Sequence, residues 1–315
     1  MGDRGGVRGE VAAVAGLLLT AVWWGCMTPL TAVLLETLPP LVIAAGRYTL
    51  AAPLLAGIIL LRERAPVFPL GLPWGRILLL GGAGIAGFAT CYTLGVAYAG
   101  TITAAAILAT QPVVAALIEW LLLRRPIARR TLSAIGHAVA GGLLVAFGQP
   151  ARSPAVGHGG EALLVLGMFC WTWYSMKAQA WLAPLGIGQI RITLLTTGAA
   201  ALCLWIAFGA TLALGLQAPP AGRPGAGALA ILLLLAVGPT AMAISTWNFG
   251  TARLGITVAS LFLNLAPVVA VLLGVILGAE AHATQLAGGA VALGGVVYLQ
   301  LGGIGRRHTA ATVSD

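Results

Sequence analysis

The residues able to do chemistry in this chain are those that interrupt its apolar stretches. Arg47 and Arg191 each sit about six to eight residues inside a predicted apolar helix. An arginine at the centre of a membrane helix costs about 2.5–3.5 kcal/mol on insertion scales, so it must pair, reach toward headgroups or meet a ligand. Two roles are open to the pair: a structural or gating role near the rim of a cavity, or contact with a substrate carboxylate. Glu119 and His137 are their expected polar partners, and both are candidates for proton coupling. Imidazole titrates at about pH 6.5, which suits a proton carrier. The competing readings are a helix-end ion pair of Glu119 with Arg124 and Arg125, and a packing role for His137 on its glycine-rich helix.

Pro112 and Pro267 fall near the middle of two predicted helices, with Gln111 beside the first and Asn264 three residues before the second. Each proline withholds a backbone hydrogen bond. Carbonyls freed at membrane depth are tolerated where they face protein or a water-filled cavity, so both prolines are candidate hinges beside a binding site as well as candidate packing kinks. Trp24, Tyr92, Trp171, Tyr174 and Trp247 lie toward helix interiors, with Gln111, Asn248 and Asn264 as the accompanying amides. Aromatic walls with a few orienting hydrogen-bonding groups are what a small-molecule site needs. The same residues also serve as ordinary packing. Trp74, Trp120, Trp181 and Tyr298 sit nearer helix ends, as an interfacial aromatic belt does.

Catalytic chemistry is poorly supplied. The only aspartates are Asp3 and Asp315, so no Asp-rich metal or diphosphate site is expected within the apolar part of the chain. Ser133, Ser175, Ser245 and Ser260 have no activating partner in sequence, and the single lysine, Lys177, is not in a phosphate-binding loop. Cys26, Cys91, Cys170 and Cys203 show neither C-x-x-C nor Cys/His ligand spacing. No cofactor, no metal and no enzymatic activity are expected. A polytopic membrane enzyme and a channel-like or structural subunit stand as the rival classes.

The elements that position these residues follow from composition. Of 315 residues, 59% are apolar and 8% charged, and the mean hydropathy is +0.99. Soluble domains carry roughly 25% charged residues, so the bilayer is the expected solvent. Spans of about 20 apolar residues are predicted at 10–35, 39–61, 74–98, 101–123, 131–148, 161–181, 185–209, 227–252, 255–278 and 283–303. The uncharged run from Ile77 to Ile118 would be about 63 Å long as one helix, so it must be a hairpin, with its turn expected at Gly100. The first uncharged run exceeds the 7–15 residues of a signal-peptide core and is read as a true span.

Ten spans put both termini on one side. That side collects 13 of the 17 basic residues, the opposite side only Arg152 and Arg223, so the termini are expected in the cytoplasm. The net charge of +9 therefore reports orientation in a cytoplasmic (inner) membrane, and nucleic acid is not an expected partner. The expected partners are a small-molecule substrate and the lipid bilayer; oligomeric state is left open, with a monomer sufficient.

An internal repeat is visible at an offset of 155 residues, where Thr90–Leu122 lies over Ser245–Leu277 without a gap. Gly95 falls on Gly250, Gly100 on Gly255, and Pro112-Val-Val-Ala on Pro267-Val-Val-Ala. Beyond a two-residue length difference Gly136-x4-Gly-Gly matches Gly289-x4-Gly-Gly, and weaker pairings match Trp24-Gly25 with Trp171-Thr172 and Arg47 with Arg191. The halves are 1–148 and 161–315, joined by a linker over 149–160. Five spans per half is an odd number, so the halves have opposite orientation, an arrangement used by secondary transporters.

With Trp-Gly in the first span, the arginine in the second, Ala97-Tyr98 closing the third, the mid-helix proline and the Gly-x4-Gly-Gly helix, each half resembles an EamA domain. The chain is similar to the ten-helix EamA family of the drug/metabolite transporter superfamily. The resemblance implies an all-α polytopic fold of two inverted five-helix repeats, with spans 1, 3, 4, 6, 8 and 9 around a central cavity. It implies transport of small metabolites by alternating access, with export of amino acids or related amphipathic metabolites the expected task. Glu280 fits the family's glutamate after the second proline helix; the matching first-half position is Arg125, so a symmetric glutamate pair is not expected.

Overall fold

The computed structural model describes residues 3–63, 66–123, 159–216, 224–263 and 265–284, with single positions or short runs at 129, 133, 136, 137, 140, 141, 144, 222, 286–291, 294, 295 and 298. The linker and most of the predicted spans 131–148 and 283–303 lie outside the described residues, as does Asn264; the side chains of Glu119 and Pro112 do too. Among the described residues there is no strand.

The chain folds into α1 (Asp3–Leu35), α2 (Pro40–Glu63), α3 (Trp74–Ala99), α4 (the half-helices Thr101–Leu108 and Gln111–Leu123), α5 (Gly160–Trp181), α6 (Gln189–Ala213), α7 (226–254) and α8 (256–262 and Leu265–Ile276). Lipid explains their composition. In α1, Ala13, Leu17 and Ala21 repeat every four residues and are fully buried, while Val11, Val14, Leu18 and Val22 form an exposed apolar stripe on another face. Small residues on the buried face let backbones approach, and the exposed stripe meets hydrocarbon. Gly9–Leu35, Pro40–Leu61, Trp74–Ala99, Gln189–Ala213 and Ala226–Ile256 are each long and apolar enough to cross a membrane.

The two halves repeat each other in detail. Gly100 ends α3 at φ 77°, ψ 169°, and Gly255 ends α7 at φ 78°, ψ 158°. This region of backbone space is open essentially to glycine alone, so the register of both reversals is set by one residue type. Leu80–Ala86 in α3 and Ala236–Met242 in α7 are wound as π-helix. In the second, Pro239 has no N–H, and the Thr240 hydroxyl donates to the Leu235 carbonyl at 2.8 Å. The wider winding thus absorbs a proline that an α-helix would meet as a break.

Contacts between the halves establish their inversion. Along α1, Gly16 and Leu17 pack against Thr246 and Gly250, while Trp23 packs against Gly238, so α1 and α7 run antiparallel. Gly95 against Leu164, Cys91 against Gly167 and Gly84 against Tyr174 make α3 and α5 antiparallel in the same way. α1 and α3 share a direction because the connected helices of one half alternate, so α5, which opens the second half, opposes α1, which opens the first. Internal hydrogen bonds carry the same correspondence: Tyr92 OH donates to Thr28 Oγ1 at 3.1 Å in one half, and Trp247 Nε1 to Ser175 Oγ at 3.2 Å in the other.

Three expectations shift. α4 and α8 are broken rather than kinked, each a turn short of continuity before its proline, so Pro112 and Pro267 stand in the first turn of a new half-helix. There the missing N–H costs little, since first-turn amides lack intrahelical partners. The span expected to begin at 185 begins at Gln189, after the short turn Ala183–Leu185. Arg191 is therefore its third residue, at the end of the helix rather than within it.

Candidate functional site

A cavity lies between the halves, with about 710 Å³ of empty space in and around it, open solvent at its mouth included. α1 contributes Trp24, Met27 and Thr28, α2 Arg47 and Tyr48, and α3 Phe88. α4 contributes Leu108 and Gln111 on either side of its break, and α8 contributes Leu263, Ala266 and Pro267 around its own. Trp171 from α5 and Pro239 from the π-helical turn of α7 also line it, with Ala105 of α4, Ile244 of α7 and Ala270 of α8. Broken and π-wound backbone thus gathers at the cavity, where freed polar groups can be used.

Aromatic rings form the apolar wall. Trp24 stands edge-on to Trp171 at 5.1 Å and lies 5.4 Å from Trp247. Phe88 lies 5.4 Å from both Trp171 and Tyr92. The two tryptophans that face each other across the repeat differ in their polar edges. Trp24 Nε1 donates to the Pro239 carbonyl at 3.0 Å, which fixes its ring. Trp171 is only 5% exposed, and its Nε1 has no hydrogen-bond partner among the described residues.

Arg47 is the charged member of the wall, and it is 2% exposed. Its Nη1 reaches Met27 Sδ at 2.7 Å, its Nη2 donates to Tyr48 OH at 2.9 Å, and its Nε has no partner among the described residues. The guanidinium lies 4.6 Å from the Tyr48 ring centroid and 5.8 Å from that of Tyr92. Thioether and phenol are neutral acceptors, so the positive charge has no anion among the lining residues. The backbone of Glu119 is eight residues beyond Gln111 along α4, about 12 Å further along the helix axis.

The polar residues singled out in sequence are thereby sorted. Trp24, Arg47, Gln111, Trp171 and Pro267 line the cavity. Gln111 Nε2 donates to Thr172 Oγ1 at 2.7 Å, tying α4 to α5. Tyr92, Tyr174, Trp247 and Asn248 are buried behind the wall rather than on it. There Asn248 Nδ2 donates to Tyr174 OH at 3.2 Å and Thr193 Oγ1 at 3.0 Å. Arg191 donates to the Pro66 carbonyl at 3.4 Å, away from the cavity. His137 is exposed and bonds the Ser133 carbonyl of its own helix at 2.8 Å, so it is not the partner of Arg47.

Contacts also revise one pairing. Arg47 meets Met27 where Thr196 meets Tyr174 OH, at 3.2 Å. Met27 and Tyr174 occupy the same place, three residues after Trp24 and Trp171, so the partner of Arg47 in the second half is Thr196, not Arg191. Sequence reasoning missed Tyr48 and Phe88. Phe88 carried a usable signal, standing four residues before Tyr92 and hence on the same helix face.

The profile described as the EamA-like transporter family matches this chain twice, over residues 11–147 and 158–301. An uncharacterized transporter of Bacillus subtilis (strain 168), YyaM, is 24% identical over 260 residues, covering 81% of this chain and 82% of the relative. A solved structure described only as the crystal structure of a protein superposes with a TM-score of 0.63 at 19% identity, covering 94% of this chain and 98% of the other. At that identity the likeness is one of fold alone.

Proposed function

The chain belongs to the EamA-like transporter family, and on that premise we propose that it is a secondary transporter that moves small metabolites by alternating access. The proposed cargo is amino acids or related amphipathic metabolites, and the proposed direction is export across the cytoplasmic membrane, with both termini in the cytoplasm. One observation carries this reading: the cavity lies between two oppositely oriented halves and takes its wall from both, at helix breaks present in each. A site placed there is uncovered toward one side or the other as the halves rock. Aromatic rings supply the apolar contact an amphipathic solute needs, and Gln111, Thr28 and Arg47 supply orienting polar groups.

Counterflow in proteoliposomes tests it. Vesicles preloaded with an unlabelled amino acid should accelerate uptake of the labelled one at least severalfold over empty vesicles. Flux that is indifferent to the solute on the far side indicates a pore, and no flux across a panel of amino acids and amphipathic metabolites removes the reading.

A further inference from the structure

We infer that the cargo is an amphipathic organic anion, its carboxylate held at Arg47 and its apolar body against Trp24, Phe88 and Trp171. The inference rests on the transporter reading above and narrows its cargo from zwitterionic amino acids to related amphipathic monoanions. Its first support is that Arg47 lies on the cavity wall, 2% exposed, and that among the described residues its Nε has no partner and its other nitrogens meet only neutral acceptors. A guanidinium kept at membrane depth without an anion is costly. An entering carboxylate removes that cost, and its hydrogen bonds to the guanidinium are of the strong, charge-assisted kind.

The second support is the balance of donors and acceptors. Trp171 Nε1 is another buried donor with no partner among the described residues, so it too is left for an acceptor. Two hydroxyls on the same wall are already engaged as acceptors. Thr28 Oγ1 already accepts from Tyr92, and Tyr48 OH from Arg47. A zwitterion brings a cation along with its carboxylate and leaves the occupied site with net positive charge. A monoanion leaves it neutral, the lower-energy state in a poorly solvated site.

The test uses the purified full chain in nanodiscs and reads tryptophan fluorescence during titration with four phenyl probes of similar size: 3-phenylpropionate, 3-phenylpropionamide, phenylalanine and phenethylamine. Phenylpropionate should bind roughly ten- to hundredfold tighter than the amide or phenylalanine, the range a charge-assisted hydrogen bond supplies. Phenethylamine should bind weakest. Arg47→Gln should bring phenylpropionate down to the level of the amide, and Arg47→Lys should keep part of the preference. Phenylalanine or the amide binding as tightly as phenylpropionate in the unaltered protein overturns the inference, whatever the variants do. So does a preference that survives Arg47→Gln, or no phenylpropionate binding at millimolar concentration. Counterflow of the same probes separates the two proposals. Exchange of phenylalanine without a carboxylate preference removes this inference alone, whereas tight carboxylate binding without exchange removes the transporter reading.

Discussion

Trp24 and Trp171 occupy matching places in the two halves, yet one indole is anchored and the other is not. Trp24 Nε1 is bonded to the Pro239 carbonyl, while Trp171 Nε1 is buried with no hydrogen-bond partner among the described residues. Replacing either ring by phenylalanine loses a similar apolar area, so the comparison isolates the polar edge. Trp24→Phe should lower stability by about 1 kcal/mol more than Trp171→Phe, the net worth of one intramolecular hydrogen bond. Trp171→Phe should instead raise the KM for transport. Thermal unfolding in nanodiscs and counterflow kinetics on the same samples check both; equal melting of the two variants contradicts the assignment. These tryptophans were legible in sequence because rare residues at matching positions of a repeat are conspicuous. Tyr48 was not, because a tyrosine beside an arginine has no pattern that distinguishes wall from packing; Phe88 could have been found, since it shares the helix face of Tyr92 four residues on. Identity also misled at Arg191, which matches Arg47 in type, whereas the structure places Thr196 in the equivalent position.

At the scale of elements, the two glycine reversals are the points where sequence dictates backbone most strictly. Gly100 and Gly255 hold φ of 77° and 78° with ψ near the extended range, and an ideal Cβ at either meets no neighbouring atom within 4 Å. Any cost of Gly100→Ala or Gly255→Ala is therefore conformational, about 1–3 kcal/mol each. The expected outcome is a lowered melting temperature for each variant and a nearly additive drop for the pair, since the two sites belong to separate turns. Unchanged melting contradicts the backbone assignment. Both reversals were visible as an ungapped Gly/Gly match. The π-helical turns were not, because no residue pattern specifies them: Leu80–Ala86 contains no proline, and Ala236–Met242 contains Pro239. The breaks in α4 and α8 were half legible. Proline marked the neighbourhood, but its preference for the first turn of a helix places the break before it, at 109–110 and around Leu263.

At the scale of the molecule, two oppositely oriented bundles enclose a cavity lined by aromatic rings, aliphatic side chains, two neutral polar groups and a buried guanidinium. The hydropathy and the repeat carried the architecture, since apolar length and glycine and proline spacing are properties of the chain alone. The cavity's charge balance was not readable, because it depends on which donors the fold leaves unspent. The alternating access proposed above makes a direct demand on Ala105, a buried residue of the cavity wall in the first half-helix of α4. With Cys26, Cys91, Cys170 and Cys203 replaced, an Ala105→Cys variant can be treated with a membrane-impermeant maleimide in right-side-out and in inside-out vesicles. The account predicts labelling from both sides, with transported solute shifting the rate in opposite senses in the two preparations. Labelling from one side only, with or without solute, contradicts it.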